Sequence, residues 1–311
     1  MTKVWKASTF LLWEVGAVSK LLRADFVRLF KSMIFWLGVI FMIGLAGFAC
    51  WTKWRDSLDF PDYYNPPDGL LFAGTNYIGI IIAVVLGIFI GTDYSHGTIR
   101  NKHVVGHSRV KMYLSNLIIS VTASLIIHAA HTAVIVFAAA VGITRPFEMS
   151  AGNIAALFFT SVFTVAALTA IFVFVCMLMT SRSIGVVSVI LISLALVIEG
   201  NNIYFRLGEE EYTTPYHFTV MNEYGEEIEV DQPSVKNPRY LTGTKRKIYE
   251  FLNDLLPNNQ ILQFSDGASG KQLGEDGEMP DHTAWFPLYS LGLIAVTTTA
   301  GILIFRRKDL K

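Results

Sequence analysis

The sequence predicts an all-α polytopic membrane protein. It has six transmembrane helices, a basic amphipathic helix before the first, a short cytosolic helix between the second and third, and a small α+β extracellular insertion between the fifth and sixth. Three observations lead there. The chain has 311 residues, of which 52% are hydrophobic and 16% charged, against about 25% charged in soluble domains. Six stretches lack Asp, Glu, Lys and Arg altogether: Ser32–Thr52, Gly69–Thr92, Met112–Thr144, Met149–Ser181, Ser183–Ile198 and His282–Phe305. The charges therefore crowd into the remaining segments, and their signs separate by segment. A soluble enzyme would need a wet face on every amphipathic element, so that reading is excluded.

A bilayer core about 30 Å thick requires about 20 apolar helical residues. Five of the six stretches meet this. The two longest, Met112–Thr144 and Met149–Ser181, exceed it, so their helices tilt or project into water. Ser183–Ile198 is short, and is either completed through Glu199 into Asn201–Phe205 or ends early beneath an outer domain. The runs are continuously apolar, without the period-two alternation of a barrel strand.

Orientation follows from the flanks. With a cytosolic amino terminus, the inner segments (1–31, 93–111, Arg182 and 306–311) hold 15 Lys/Arg and four acids. The outer segments (53–68, 145–148 and 199–281) hold 10 Lys/Arg and 21 acids. Lys and Arg in short loops set orientation. The basic ending Arg306-Arg307-Lys308 then demands an even number of crossings, which places both termini in the cytosol. The implied organisation is a transmembrane domain over 1–199, an extracellular insertion over 200–281, and a last span with its basic tail over 282–311.

Before the first span, Val18, Leu22, Phe26, Leu29 and Met33 share one helical face, with Lys20, Arg23, Arg28 and Lys31 mostly opposite. This pattern predicts an interfacial helix whose partners are membrane lipids. Between spans two and three, Gly97 and Gly106 bracket about two helical turns. Ile99, Val104 and Val105 are unexpected in a short cytosolic connection and suggest a helix that docks on another protein. In the outer insertion, Tyr216–Met221 and Glu226–Val230 flank Asn222–Gly225 as a hairpin. A helix from Thr244 to Leu256, stopped by Pro257, would bury Ile248, Phe251, Leu252, Leu255 and Leu256. Ser265–Asp281 reads as a mobile acidic loop, and Asp266, Glu275, Asp276 and Glu278 match no EF-hand spacing. Cys50 and Cys176 fall near opposite ends of the membrane, too far apart for a disulfide.

Catalytic signatures are missing. Gly270-Lys271 lacks the Ser/Thr that a phosphate-binding loop needs next, and neither a zinc-protease motif nor a nucleophile elbow is present. His128 and His131 lie at i, i+3 near mid-depth of the third span. Interhelical hydrogen bonding or packing, a place on a translocation pathway, and metal binding are the three readings of such a pair. No cofactor, metal or nucleic-acid partner is expected.

Three segments together resemble a family. Lys20–Lys31 leads into the first span, Gly91–Lys102 is followed by Gly106-His107-Ser108-Arg109, and the chain ends Gly301–Leu310. Together they are similar to permease subunits of ATP-binding-cassette exporters of the type-2 ABC transporter class. The resemblance implies that the first segment is an elbow helix and that Gly97, Thr98, Ile99, Arg100, Asn101 and Lys102 form a coupling helix. It also implies a separate ATP-binding ATPase subunit as motor, and a second permease copy or related permease completing the pathway. His128 and His131 would then be candidate pathway residues. The expected function is export of a peptide, antibiotic or amphiphilic, lipid-like substrate across the plasma membrane. Asp93 stands where the family often has Glu, and the outer insert is larger than in many members. The alternatives are a non-transporting receptor or scaffold with an extracellular ligand-binding domain, and an intramembrane enzyme or ATP-independent carrier. The latter would need buried carboxylates or paired charges, which the six neutral spans lack.

Overall fold

The computed structural model describes residues 19–61, 67–213, 216–221, 227–268 and 281–308. Six helices are long and apolar enough to cross a membrane, and the chain is a multi-pass membrane protein. A helix over residues 19–31 (α1) precedes them. The first span is α2 (Met33–Asp59), and the second combines α3 (Leu70–Ala73) with α4 (Thr75–Ser95). After the short α5 (Thr98–Val104) come α6 (Arg109–Ala140), α7 (Ala151–Leu178) and α8 (Arg182–Leu207). A two-stranded antiparallel hairpin follows, β1 (Tyr216–Met221) with β2 (Glu227–Gln232), pairing Tyr216 with Gln232 and Met221 with Glu227. Then come α9 (Gly243–Leu255), α10 (Pro257–Ala268) and the last span, α11 (Phe286–Arg307), entered through a 3-10 turn at Asp281–Trp285.

The helix starts are written in serine. The hydroxyls of Ser108, Ser150 and Ser181 accept from the backbone N–H three residues on, capping α6, α7 and α8. α8 does run through Glu199 to Leu207, which settles the short fifth span in favour of completion. α4 lies closely against α8 because its contact residues have no side chain. A Cβ on Gly87 would lie 3.0 Å from the Val186 Cα, and one on Gly91 would lie 2.9 Å from the Arg182 Cγ.

The main core gathers Phe35, Met42, Ile78, Ile82, Ile119, Ile127 and Phe172 from α2, α4, α6 and α7. A second cluster, with Phe72, Leu157, Phe264 and Phe286, closes the opposite end. Inter-helix contacts define the two ends. At one, called the basic end, α1, α5, Arg182 and Lys308 converge. At the other, the insertion end, Arg145 donates to the Pro61 carbonyl at 2.6 Å. There Asp68, 2% exposed, accepts from the backbone N–H of Glu148 and Met149 at 3.0 and 2.7 Å. Cys50 and Cys176 are free, buried thiols.

Two expectations are corrected at the insertion end. α9 stops before Pro257 as read, but Ile248 and Phe251 are each 52% exposed. The burial falls on the next helix, whose last residues, 265–268, belong to the stretch that the sequence assigns to a mobile loop. Leu256 is extended, as the residue before a proline prefers, and Pro257 then opens α10 at the position where its missing N–H costs nothing. Asn259, Gln260, Ile261 and Phe264 of α10 are all fully buried. Asp266 belongs to α10 and accepts from the Tyr204 hydroxyl at 2.5 Å. Glu275, Asp276 and Glu278, with the rest of the acidic loop after Ala268, lie outside the described residues.

Candidate functional site

At the basic end, Gly97 takes φ +65 and Gly106 φ +99, left-handed conformations that glycine alone adopts without strain. They turn the chain into and out of α5. Of the six residues expected to form the docking helix, Ile99 points inward. It is 3% exposed and belongs to the main core. Lys102, one turn later, also points inward. Arg100 and Asn101 are exposed, while Gly97 and Thr98 are half-buried. The outward apolar tip is Val104 and Val105, 79% and 78% exposed.

Lys102 is held by a buried charge cluster. Its Nζ lies 2.7 Å from Asp25 Oδ1 and 3.7 Å from Asp93 Oδ2. Arg28 pairs with Asp93 and lies 3.9 Å from Asp25 Oδ1. Its guanidinium also stacks 4.1 Å from the Phe89 ring centroid. Ser115 donates to Asp25 Oδ2 at 2.8 Å. Both acids are 2% exposed. Two carboxylates and two cations thus balance, and they tie together α1, α4, α5 and α6. Burial lowers the pKa of Lys102, opposed by the charge and hydrogen bond of Asp25. Arg28 is lowered by burial too, against the pull of Asp25.

The sequence reading missed this cluster. It placed Arg28 on the wet face of α1 and ran the apolar stripe through Val18, Leu22, Phe26, Leu29 and Met33. In the structure Leu22, Phe26 and Leu29 of that stripe do pack on the main core, but the most buried line is Leu21–Asp25–Leu29, while Val27, Phe30 and Met33 are 47%, 47% and 75% exposed. Val18 lies outside the described residues. An acid flanked at i−4 and i+4 by leucines was the available signal.

The carboxyl-terminal tail fastens to the same end. Arg109 Nη1 donates to the carbonyl oxygens of Phe305, Arg306 and Lys308 at 3.4, 2.8 and 2.5 Å, satisfying carbonyls at the end of α11. Lys308 Nζ donates to the Tyr94 hydroxyl and to the carbonyls of Met177 and Met179 at 3.0, 3.0 and 2.6 Å. Burial lowers the Lys308 ammonium to about 8. Arg109 and Lys308 therefore tie helix ends together.

His128 and His131 are 1% and 2% exposed. Ser161 Oγ spends its proton on the Phe158 carbonyl at 2.7 Å, so at 2.9 Å it must accept from His128 Nε2. This fixes His128 as the Nε2–H tautomer, leaving its Nδ1 as a buried acceptor with no partner among the described residues. The ring stacks on Phe158 at 5.4 Å. His131 packs over Gly74, where any Cβ would fall 1.9 Å from its Nε2. Among the described residues no three His, Cys, Asp or Glu gather as a metal site.

A third polar group surrounds α10. Gln260 Oε1 accepts from Thr164 and Ser290 at 2.7 and 3.0 Å, and its Nε2 donates to the Asp254 carbonyl at 2.7 Å. Asn259 Nδ2 donates to the Gly200 carbonyl and to Asn253 Oδ1, each at 2.9 Å. Thr164 stands 13 positions after Ala151, the first residue of α7 and its top at the insertion end, or about 20 Å along the axis. α10 therefore reaches well below the top of α7. No protein-family profile and no curated protein matches the sequence.

Proposed function

We propose that this chain is the permease subunit of an ATP-driven exporter, similar to those of the type-2 ABC transporter class. ATP would be bound and hydrolysed by a separate subunit. One observation carries the reading: α5 presents Val104 and Val105 to solvent while its opposite face is locked into the protein through Ile99 and Lys102. A docking element that transmits force must be apolar outside and immobile inside, and α5 has both properties.

Under this reading the basic end faces the cytosol, α1 is the elbow helix and α5 the coupling helix. The segment from β1 to α10 is the small extracellular α+β insertion. α10, packed among α3, α7, α8 and α11, would close the outer end of the pathway. The last two spans are buried over only 22% and 17% of their most apolar windows, leaving apolar faces for lipid and for a second permease copy. His128 and His131 would border the pathway at mid-depth. The cargo class is a peptide, antibiotic or amphiphile, matched to a neutral pathway.

The test is a photo-crosslinking amino acid at position 105, activated in native membranes. A nucleotide-binding protein should be captured, with capture lost when the crosslinker is moved to the lipid-facing position 40. A receptor or scaffold would yield no ATP-binding partner, and that outcome would sink the proposal.

A further inference from the structure

At the basic end a depression of about 480 Å³ lies between α5, α6 and α11, lined by His103, Ser108, Arg109, Val110 and Arg306. Its volume is that of a small-ligand site, and among the described residues its lining holds two guanidinium groups, an imidazole and a hydroxyl but no carboxylate. Arg109 is rigidly placed, because its three hydrogen bonds to the end of α11 all leave from Nη1. The remaining guanidinium N–H groups are a fork suited to phosphate oxygens. Arg306 is exposed.

Apolar surface leads away from this basic mouth along both helices. On α6, Val110 is followed at i+4 and i+8 by Leu114 and Ile118, 36% and 45% exposed. On α11, Leu303 lies one turn before Arg306 and is 55% exposed. The two helices are held together at this level by Tyr113, whose ring centroid is 6.4 Å from that of Phe305. Tyr113 also fills the space over Gly301, where a Cβ would meet its hydroxyl at 2.2 Å. Arg109 begins one span and Arg306 stands next to the end of another, so the depression sits where a span meets the headgroup layer. A phosphate pocket opening onto an apolar strip matches a phospholipid better than free phosphate, which has no use for the strip.

We propose that this depression is a specific site for an anionic phospholipid, with the phosphate on Arg109, Arg306 and His103 and an acyl chain along Val110, Leu114, Ile118 and Leu303. The assignment is independent of whether the chain transports anything.

The experiment is native mass spectrometry of the purified full chain released from neutral detergent with phosphatidylglycerol and phosphatidylcholine at equal concentration. The wild-type chain should retain phosphatidylglycerol preferentially. Arg306→Gln should cut that preference about fivefold, equivalent to about 1 kcal/mol for one cation at the surface, and His103→Gln should reduce it further. Arg307→Gln, also exposed but not in the lining, should leave it unchanged. Equal retention of the two lipids, or an equal effect of Arg307→Gln, overturns the site. Displacement of the lipid by millimolar inorganic phosphate overturns the acyl strip. All three substitutions are at exposed positions, so unchanged thermal unfolding serves as the folding control.

Discussion

Lys102 Nζ lies 2.7 Å from Asp25 Oδ1, joining residues 77 positions apart in a cluster of balanced charge. Removing one partner of a buried pair leaves a charge uncompensated, at about 3–5 kcal/mol. Asp25→Asn alone should therefore destabilise the chain by about that amount, read from denaturant unfolding in detergent. Combining it with Lys102→Met restores neutrality, since Arg28 and Asp93 still pair. The double variant should recover at least half of the loss. Equal stabilities of the single and double variants would show that Lys102 and Asp25 are not coupled.

Ile99 and Val104 make opposite predictions although both sit on α5. Ile99→Asp places a carboxylate in the main core and should abolish stable folding, seen as lost yield and aggregation on gel filtration. Val104→Asp together with Val105→Asp changes only exposed side chains. Those substitutions should leave unfolding within about 0.5 kcal/mol of wild type while eliminating ATP-driven transport. Ile99, named in the sequence analysis beside Val104 and Val105, is buried, so under the proposed function the docking surface is carried by the two valines.

Gln260 is the hub that holds α10 down. Gln260→Leu strips partners from the Thr164 and Ser290 hydroxyls and from the Asp254 carbonyl. The expected cost is about 1–3 kcal/mol, with faster proteolysis around α9 and α10. Thr164→Val leaves Gln260 its bond to Ser290 and should cost less. If Thr164→Val proved the more damaging of the two, α10 would not be anchored through Gln260.

Lys308 gives the molecule a pH signature. Its folded pKa, lowered by burial to about 8, lies below the unfolded value of about 10.4. Between those values the unfolded chain binds more protons, so stability rises with pH. At neutral pH the buried ammonium is a net cost, which deprotonation relieves. Wild type should thus gain stability relative to Lys308→Met between about pH 8 and 10. The difference should be modest, because Lys308 is only half-buried. A gap between the two that stays constant across this window would refute the assignment.

Hydropathy made the six spans legible because lipid imposes its requirement on windows of about 20 residues, one helix at a time. Gly97 and Gly106 announced α5 through the turn conformations that they adopt. What stayed illegible was which way short helices face. α1 and α5 are too short for one stripe to be decisive, and nothing in the local sequence around Asp25 points to Lys102 and Ser115 as its partners. Pro257 was read correctly as a stop, yet not as the start of α10, because the amides that follow it look hydrophilic without their partners.

By itself, then, the sequence determined that the chain is built of six helices long and apolar enough to cross a membrane, and how charge divides between the two sets of connections. Tertiary structure alone decided that Asp25 and Lys102 neutralise each other, that Ile99 belongs to the core and Val104 to the surface, and that Gln260 sits deep among the helices. Burial in lipid depends on a segment's own composition. Burial of a charge or an amide depends on a partner brought from elsewhere in the chain, and only the packed helices supply it.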